Sequence, residues 1–232
     1  MRDRGFYVQL HLHTAESSRC ARVGGADMAR ACKEAGYDLI VVTDHFFNAN
    51  INVPYDIPWE EQVDALFAGY REAKAEGDRI GLKVLRGWET YTDGPEYLTY
   101  GLDEEFLVKN RDIALLPKAQ YLRRVKSAGA LVSHAHPFRK ASYIPDFLPD
   151  PVGLDAVEVF NGRHMDPSFD VQALKFARRH NLPGVAGADA HNAVHILDGA
   201  MRFPYPVETA AEVFAAIKRG DGEIVPNMTG RL

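Results

Sequence analysis

Residues 6–13 read FYVQLHLH. Aromatic, branched and aliphatic side chains crowd the run, a pattern that predicts a buried strand. Two histidines close it. Successive strand side chains point to opposite faces, so His11 and His13 share a face while Leu12 takes the other. Alone, the pair is compatible with two hydrogen-bonded structural histidines. What decides the fold is that this kind of ending recurs down the chain.

Working outward, GADMARACKEAG (25–36) predicts a helix closed by Gly36, and YDLIVVTDH (37–45) predicts a second buried strand. A loop containing Pro and Asn follows at 48–58. In WEEQVDALFAGYREAKAEG (59–77), Trp59, Val63, Leu66, Phe67 and Tyr70 recur at helical spacing. Then come strands at 82–90 and 96–102, a helix at 118–129, a strand at 130–136 and a Pro-rich loop at 143–153. A strand at 155–161, a helix at 167–181, a strand with its exit at 183–191 and a last helix at 207–220 complete the series. Such alternation implies an α/β fold of mostly parallel strands joined by crossovers, as a barrel or an open doubly wound sheet. No repeat or linker interrupts the 232 residues, which are expected to form a single domain, 1–232.

Composition limits the partners. Apolar residues make up 46%, enough for a sizeable core, and no run approaches a membrane span. A formal net charge of −5 does not favour long nucleic acid or an anionic membrane. The start lacks a signal-peptide pattern, and two cysteines, Cys20 and Cys32, do not make a disulfide framework. A cytoplasmic location is expected, with the oligomeric state left open.

Six of the nine histidines fall at expected strand exits: His11, His13, His45, His134, His136 and His191. Glu89 closes LRGWE, and Asp189 precedes His191 in GADAH. Strand exits are where α/β folds collect ligands and catalytic groups. His134 and His136 are expected to share a face, as are Asp189 and His191. Each residue alone has an ordinary structural reading; five successive exits carrying His or acid point to metal. Imidazole and carboxylate suit zinc, manganese or iron, and the donors outnumber the needs of one tetrahedral ion. Two or three divalent ions are therefore expected.

In this order, His11-Leu12-His13, Thr43-Asp44-His45, Glu89, His136-Pro137 and Asp189-Ala190-His191 resemble the motifs of the polymerase and histidinol phosphatase (PHP) superfamily. DAVEVFNGR (155–163) also resembles a segment of that family. The resemblance implies a distorted (β/α)7 barrel and phosphoester hydrolysis at a two- or three-metal site. It implies one ion held by His11, His13, Glu89 and Asp189, a second bridged by Glu89 and held by His136, and a third held by His45 and His191. The family usually has an Asp two residues before the first motif; here Gln9 stands there and could orient the His11 ring. Where many members have a His after the lone Glu, this chain has Glu96, with His134 as rival. The remaining ligand of the third ion falls to Glu16 first and Cys20 second. The likeness thus implies metal ligands His11, His13, Glu16, His45, Glu89, Glu96, His136, Asp189 and His191.

The expected activity is hydrolysis of a small phosphomonoester by metal-activated hydroxide, with Glu89, His191 and Asp44 as catalytic residues. Arg139 and Arg163, in loops after strand exits, are candidate phosphate contacts together with Asn161. A phosphodiesterase or exonuclease, and a metal-binding module without turnover, are alternatives. An amidohydrolase also places HxH on its first strand, but HP and DAH fit the phosphoesterase pattern better. The aromatic loop after TDH, with Phe46, Phe47 and Trp59, either covers the site or packs beneath it.

Overall fold

The computed structural model describes residues 5–92 and 94–229. Three parallel strands begin the sheet: β1 (Phe6–Gln9), β2 (Leu39–Val42) and β3 (Lys83–Tyr91). β4 (Glu96–Tyr100) runs antiparallel between β3 and β5 (Leu131–Ala135). β6 (Ala156–Asn161) and β7 (Gly184–Gly187) continue parallel to β5. On the other side of β1, β8 (Asp198–Phe203) is antiparallel to it, and β9 (Glu223–Asn227) is antiparallel to β8. The order is β7-β6-β5-β4-β3-β2-β1-β8-β9, and among the described strands only β4 and β8 run against the rest.

The sheet curls until its ends nearly meet. A parallel bridge joins Leu12 to Ala190, and the His13 amide donates to the Ala190 carbonyl at 2.8 Å. The outcome is a distorted, nearly closed α/β barrel, as the motif resemblance implied.

Helices cover the sheet: α1 (Gly25–Glu34), α2 (Trp59–Leu66), α3 (Ala68–Ile80), α4 (Glu104–Lys109), α5 (Lys118–Ser127), α6 (Ser168–Arg179) and α7 (Ala210–Arg219). Strand alternation sorts the core. Val8, Leu10, Leu39 and Val41 pack with Leu98, Tyr100 and Phe203 and with Val213 and Phe214 of α7. Tyr7, Ile40, Val42 and Val84 pack instead with Met28, Ala29 and Cys32 of α1 and Ala73 of α3.

Several expectations shift. The helix expected over 59–77 divides at Phe67, whose φ of −96° and ψ of 9° end one helix and start the next. β8, β9 and the short α4 were not anticipated. The strand expected over 6–13 ends at Gln9. Leu10 and Leu12, which should share a face, fall in different core clusters. Strict alternation therefore lapses between them, and the segment past β1, still bridged at Leu12 to Ala190, carries His11 and His13 at the carboxyl end of the barrel. Phe46, Phe47 and Trp59 are buried in a cluster with Trp88, so these aromatic side chains pack under the loop.

Candidate metal centre

Five strand exits converge. Glu89, at the end of β3 and 1% exposed, lies at the centre. Its Oε1 is 3.2 Å from His11 Nε2 and 3.1 Å from His136 Nε2. Its Oε2 is 3.0 Å from His45 Nδ1 and 3.5 Å from His13 Nε2. Asp189 places Oδ1 3.3 Å from His13 Nε2 and 3.5 Å from His11 Nε2. The ligand atoms of His11, Glu89 and His136 lie within 4.8 Å of one another, as do those of His11, His13 and Asp189, of His13, His45 and His191, and of His45, Glu89 and Glu96.

Two of these residues have unusual backbones. His136 has φ 29° and Asp189 φ 51°, in the left-handed region that residues with a Cβ seldom adopt. His136 follows β5 directly and Asp189 stands two residues past β7, where the backbone aims each side chain across the barrel mouth. The alternation expected for His134 and His136 therefore fails. His136 faces Glu89, while His134 lies against Tyr97 with ring centroids 4.8 Å apart and neither ring nitrogen hydrogen-bonded. Burial, then the neighbouring His136, pushes His134 down to about 3, so it stays neutral. It belongs to the core and not to the cluster.

The protons are arranged so that acceptors face inward. His11 Nδ1 donates to Glu158 Oε1 at 3.0 Å. Ser18 Oγ donates to Asp44 Oδ1 at 2.7 Å, which leaves His13 Nδ1 to donate to Ser18 Oγ at 3.3 Å. His191 Nδ1 donates to the Asp189 carbonyl at 2.8 Å. With their Nδ1 protons so assigned, neutral His11, His13 and His191 each keep a lone pair on Nε2. The Nε2 atoms of His11 and His13 then face each other at 3.1 Å, with two carboxylates beside them. Without a cation, this surplus of buried acceptors must be met by protons. Although burial opposes the charge, Asp189, Glu158 and Glu89 hold His11 well above the ordinary imidazole range. His13 is driven well below it by burial and by His191 and His45. Burial, then Glu89, pushes Glu96 up to about 8. A divalent ion would neutralise this concentration of buried negative charge, so the donors present fit metal.

Glu158, on β6, was not anticipated as a site residue. It is 1% exposed and accepts from three donors: the His11 ring, the His136 amide at 2.9 Å and Asn161 Nδ2 at 2.8 Å. Gly187 makes room for it, since a Cβ there would lie 2.2 Å from Glu158 Oε1. The signal was available, because an acid amid the apolar residues of DAVEVFN needs a buried partner. Glu158 has the part expected of Gln9. Gln9 instead stitches the barrel seam: its Oε1 accepts from the Ala188 and His11 amides, and its Nε2 donates to the Gly199 carbonyl.

Other expected residues lie elsewhere. Both oxygens of Glu16 accept from the Gly25 amide, 3.0 and 3.1 Å away, so this carboxylate is engaged at the start of α1. Cys20 stands at the cluster instead, its Sγ 3.2 Å from His45 Nε2. Burial raises its thiol, but hydrogen bonds to His191 and His45 bring it down to about 6. Asp44 is 2% exposed and accepts from the Thr14 amide, the Thr14 hydroxyl and Ser18. Through Ser18, whose Oγ accepts from the His13 ring and from the His45 amide, it braces both histidines, and it does not line the cavity. Arg163 pairs with Asp198 at 2.6 Å and does not line the cavity either.

The cavity at the barrel mouth has a volume of about 520 Å³. Glu89, Glu96, His136 and Asp189 form part of its wall, with Tyr91, Tyr143, Asn48 and Asn50 around them. Arg139 is the one Lys or Arg among the described residues lining it. Its Nη2 donates to Asp189 Oδ2 at 2.6 Å and Asn161 Oδ1 at 2.7 Å. Asn161 thus ties Arg139 to Glu158 from behind and positions the guanidinium rather than lining the cavity.

Comparison with known proteins finds one family match and several structures of the same fold. The family PHP_C, described as PHP-associated, matches residues 171–221. No curated protein matches the sequence. Among solved structures, the chain is similar to a two-domain protein containing a predicted PHP-like metal-dependent phosphoesterase from Bacteroides vulgatus. The TM-score is 0.70 at 14% identity, covering 96% of this chain and 65% of that one. It is also similar to a lesion-specific endonuclease from Pyrococcus furiosus (TM-score 0.61, 15% identity, 95% of this chain and 57% of that one). A third is an amidohydrolase from Chromobacterium violaceum (TM-score 0.55, 13% identity, 94% of this chain and 97% of that one). The family model matches this chain over 171–221 only, and the solved structures share its fold. None of the described helices is long and apolar enough to cross a membrane.

Proposed function

We propose that this chain is a metal-dependent phosphoesterase that hydrolyses a small phosphomonoester. The observation that carries the reading is the inward-facing set of acceptors around Glu89, open to a cavity whose wall holds one arginine. His11, His13, Glu89, His136, Asp189, His45 and His191 would hold two or three divalent ions, with Glu96 beside His136 at 3.6 Å. Bound there, such ions supply Lewis-acid charge neutralisation and lower the pKa of a coordinated water.

The chain's own residues divide the remaining work. Arg139 has five N–H donors, two of them engaged on Nη2, and offers the rest of its fork to phosphoryl oxygens. Glu158 fixes the His11 ring so that Nε2 stays a lone-pair donor. The Nδ1 bond to the Asp189 carbonyl does the same for His191, which suits a ligand. The cavity, about 520 Å³, is of the size that encloses small ligands. This favours a small ester over a long polymer.

The fold shared with the Pyrococcus endonuclease supports a second reading, a phosphodiesterase or nuclease at the same site. Hydrolysis of p-nitrophenyl phosphate and of its bis ester separates the two, using protein loaded with zinc, manganese or iron. Preferential turnover of the monoester is expected. Turnover of the bis ester alone would favour the second reading, and none of either by fully loaded protein would overturn both for generic substrates.

A further inference from the structure

The cluster contains a sulfur atom that the expected ligand set ranked second. The segment after His13 is pinned on both sides. Ser18 bridges Ile51, and the Arg19 amide donates to the Asn50 carbonyl at 3.1 Å. Three residues on, the Arg22 amide donates to the His191 carbonyl at 2.8 Å. Cys20 is thereby held between the loop that follows His45 and the loop that carries His191. Its Sγ is 3.2 Å from His45 Nε2, and Cys20, His45 and His191 line the same cavity. Nitrogen atoms of His13, His45 and His191 lie within 4.8 Å of one another at the same place. The nearby oxygen alternative, Glu16, is occupied by the Gly25 amide.

We infer that Cys20 is a thiolate ligand of a zinc-selective subsite formed with His45 and His191. This rests on the metal-dependent reading above and adds to it a chemical difference between the subsites. Around Glu89 and Asp189 the donors are imidazole and carboxylate, which accept manganese, iron or zinc. Two imidazoles with a thiolate are softer and discriminate against manganese and magnesium. On binding, the thiol S–H bond breaks, a sulfur–metal bond forms and one proton passes to water. The sulfur also makes this subsite alone sensitive to thiol alkylation. Cys32 provides an internal control: it is fully buried under α1, and burial pushes its thiol far up, so it neither binds nor reacts.

The test uses the full chain, stripped with chelator and reconstituted with cobalt(II), which reports sulfur ligation as a near-ultraviolet charge-transfer band. The wild type and Cys32→Ala should show the band, and Cys20→Ser should lack it. Cys20→Ser should lose zinc affinity at this subsite by at least the roughly 10- to 100-fold that outer-shell changes cost, with manganese binding unchanged. Independently of any variant, zinc should protect Cys20 of the wild type from iodoacetamide, read by peptide mass. Cobalt bound to the wild type without a sulfur band, or a band that survives in Cys20→Ser, would overturn the inference while leaving the phosphoesterase reading intact. Failure of the wild type to bind any divalent ion would overturn both.

Discussion

Replacing Glu158 with Gln tests whether the ring behind the cluster is set by its hydrogen bond. Glu158 Oε1 accepts from His11 Nδ1, and Oε2 accepts from the His136 amide and Asn161 Nδ2. A Gln amide has one acceptor oxygen and one donor nitrogen. If the oxygen takes the Oε2 place, two bonds survive, but the NH2 group meets His11 Nδ1, which must give up its proton. The proton then resides on His11 Nε2, and the atom facing Glu89 is no longer a lone pair. If the amide is flipped, its NH2 meets two donors, and buried N–H groups are left unpaired at about 1–3 kcal/mol each. The first arrangement costs less, so the tautomer should switch. The expected loss is roughly 10- to 100-fold in metal affinity, or about 1.4–2.8 kcal/mol. Titration calorimetry of wild type and Glu158→Gln with zinc and manganese measures it, and nitrogen NMR of the imidazoles reads the tautomer. A folded variant with unchanged affinity and an unchanged His11 tautomer would refute the reasoning.

Three further outcomes are expected. Glu89→Gln should remove bound metal and activity together, because one carboxylate reaches four imidazoles; metal analysis beside the ester assay would expose retention of either. Arg139→Ala should raise KM for a phosphate ester, since it removes the one Lys or Arg described in the cavity wall, and an unchanged KM would exclude it as a phosphate contact. His134 gives a pH prediction away from the cluster. Its folded pKa of about 3 lies below the unfolded value of 6.5, so its contribution is intact above pH 6.5 and is lost as pH falls toward 3. In that window the unfolded chain binds the extra proton, and stability falls by up to about 1.4 kcal/mol per pH unit. Denaturant titrations of His134→Leu should show a flatter acid limb than wild type, and an identical slope would contradict the assignment.

Much of the site was legible because strand-exit residues report chemistry directly. His11, His13, His45, Glu89, His136, Asp189 and His191 meet as the motif order implied. What was missed depended on backbone turns that alternation cannot encode. Alternation lapses between Leu10 and Leu12, and Gln9 serves the seam while Glu158 serves the ring. The positive φ at His136 parts it from His134. Glu16 and Cys20 are four positions apart in one loop, and only its pinning to Asn50 and His191 shows which one faces the cluster. For the barrel, the buried runs stood out. β8 and β9 did not, because short antiparallel strands beside a turn carry little periodic signal.

The barrel seam has a consequence for how the molecule is made. His13 and Ala190 are joined by a hydrogen bond, and Gln9 reaches Ala188 across 179 positions of sequence. Contacts of such long range form late, after the chain between them has been ordered. A polypeptide emerging from the ribosome carries His11 and His13 almost at once, yet it cannot assemble the cluster until residue 191 is free to dock. The full cluster is therefore assembled only once the span from His11 to His191 has been ordered. Opening of the seam would part His11 and His13 from Asp189 and His191, so ion release is expected to accompany it.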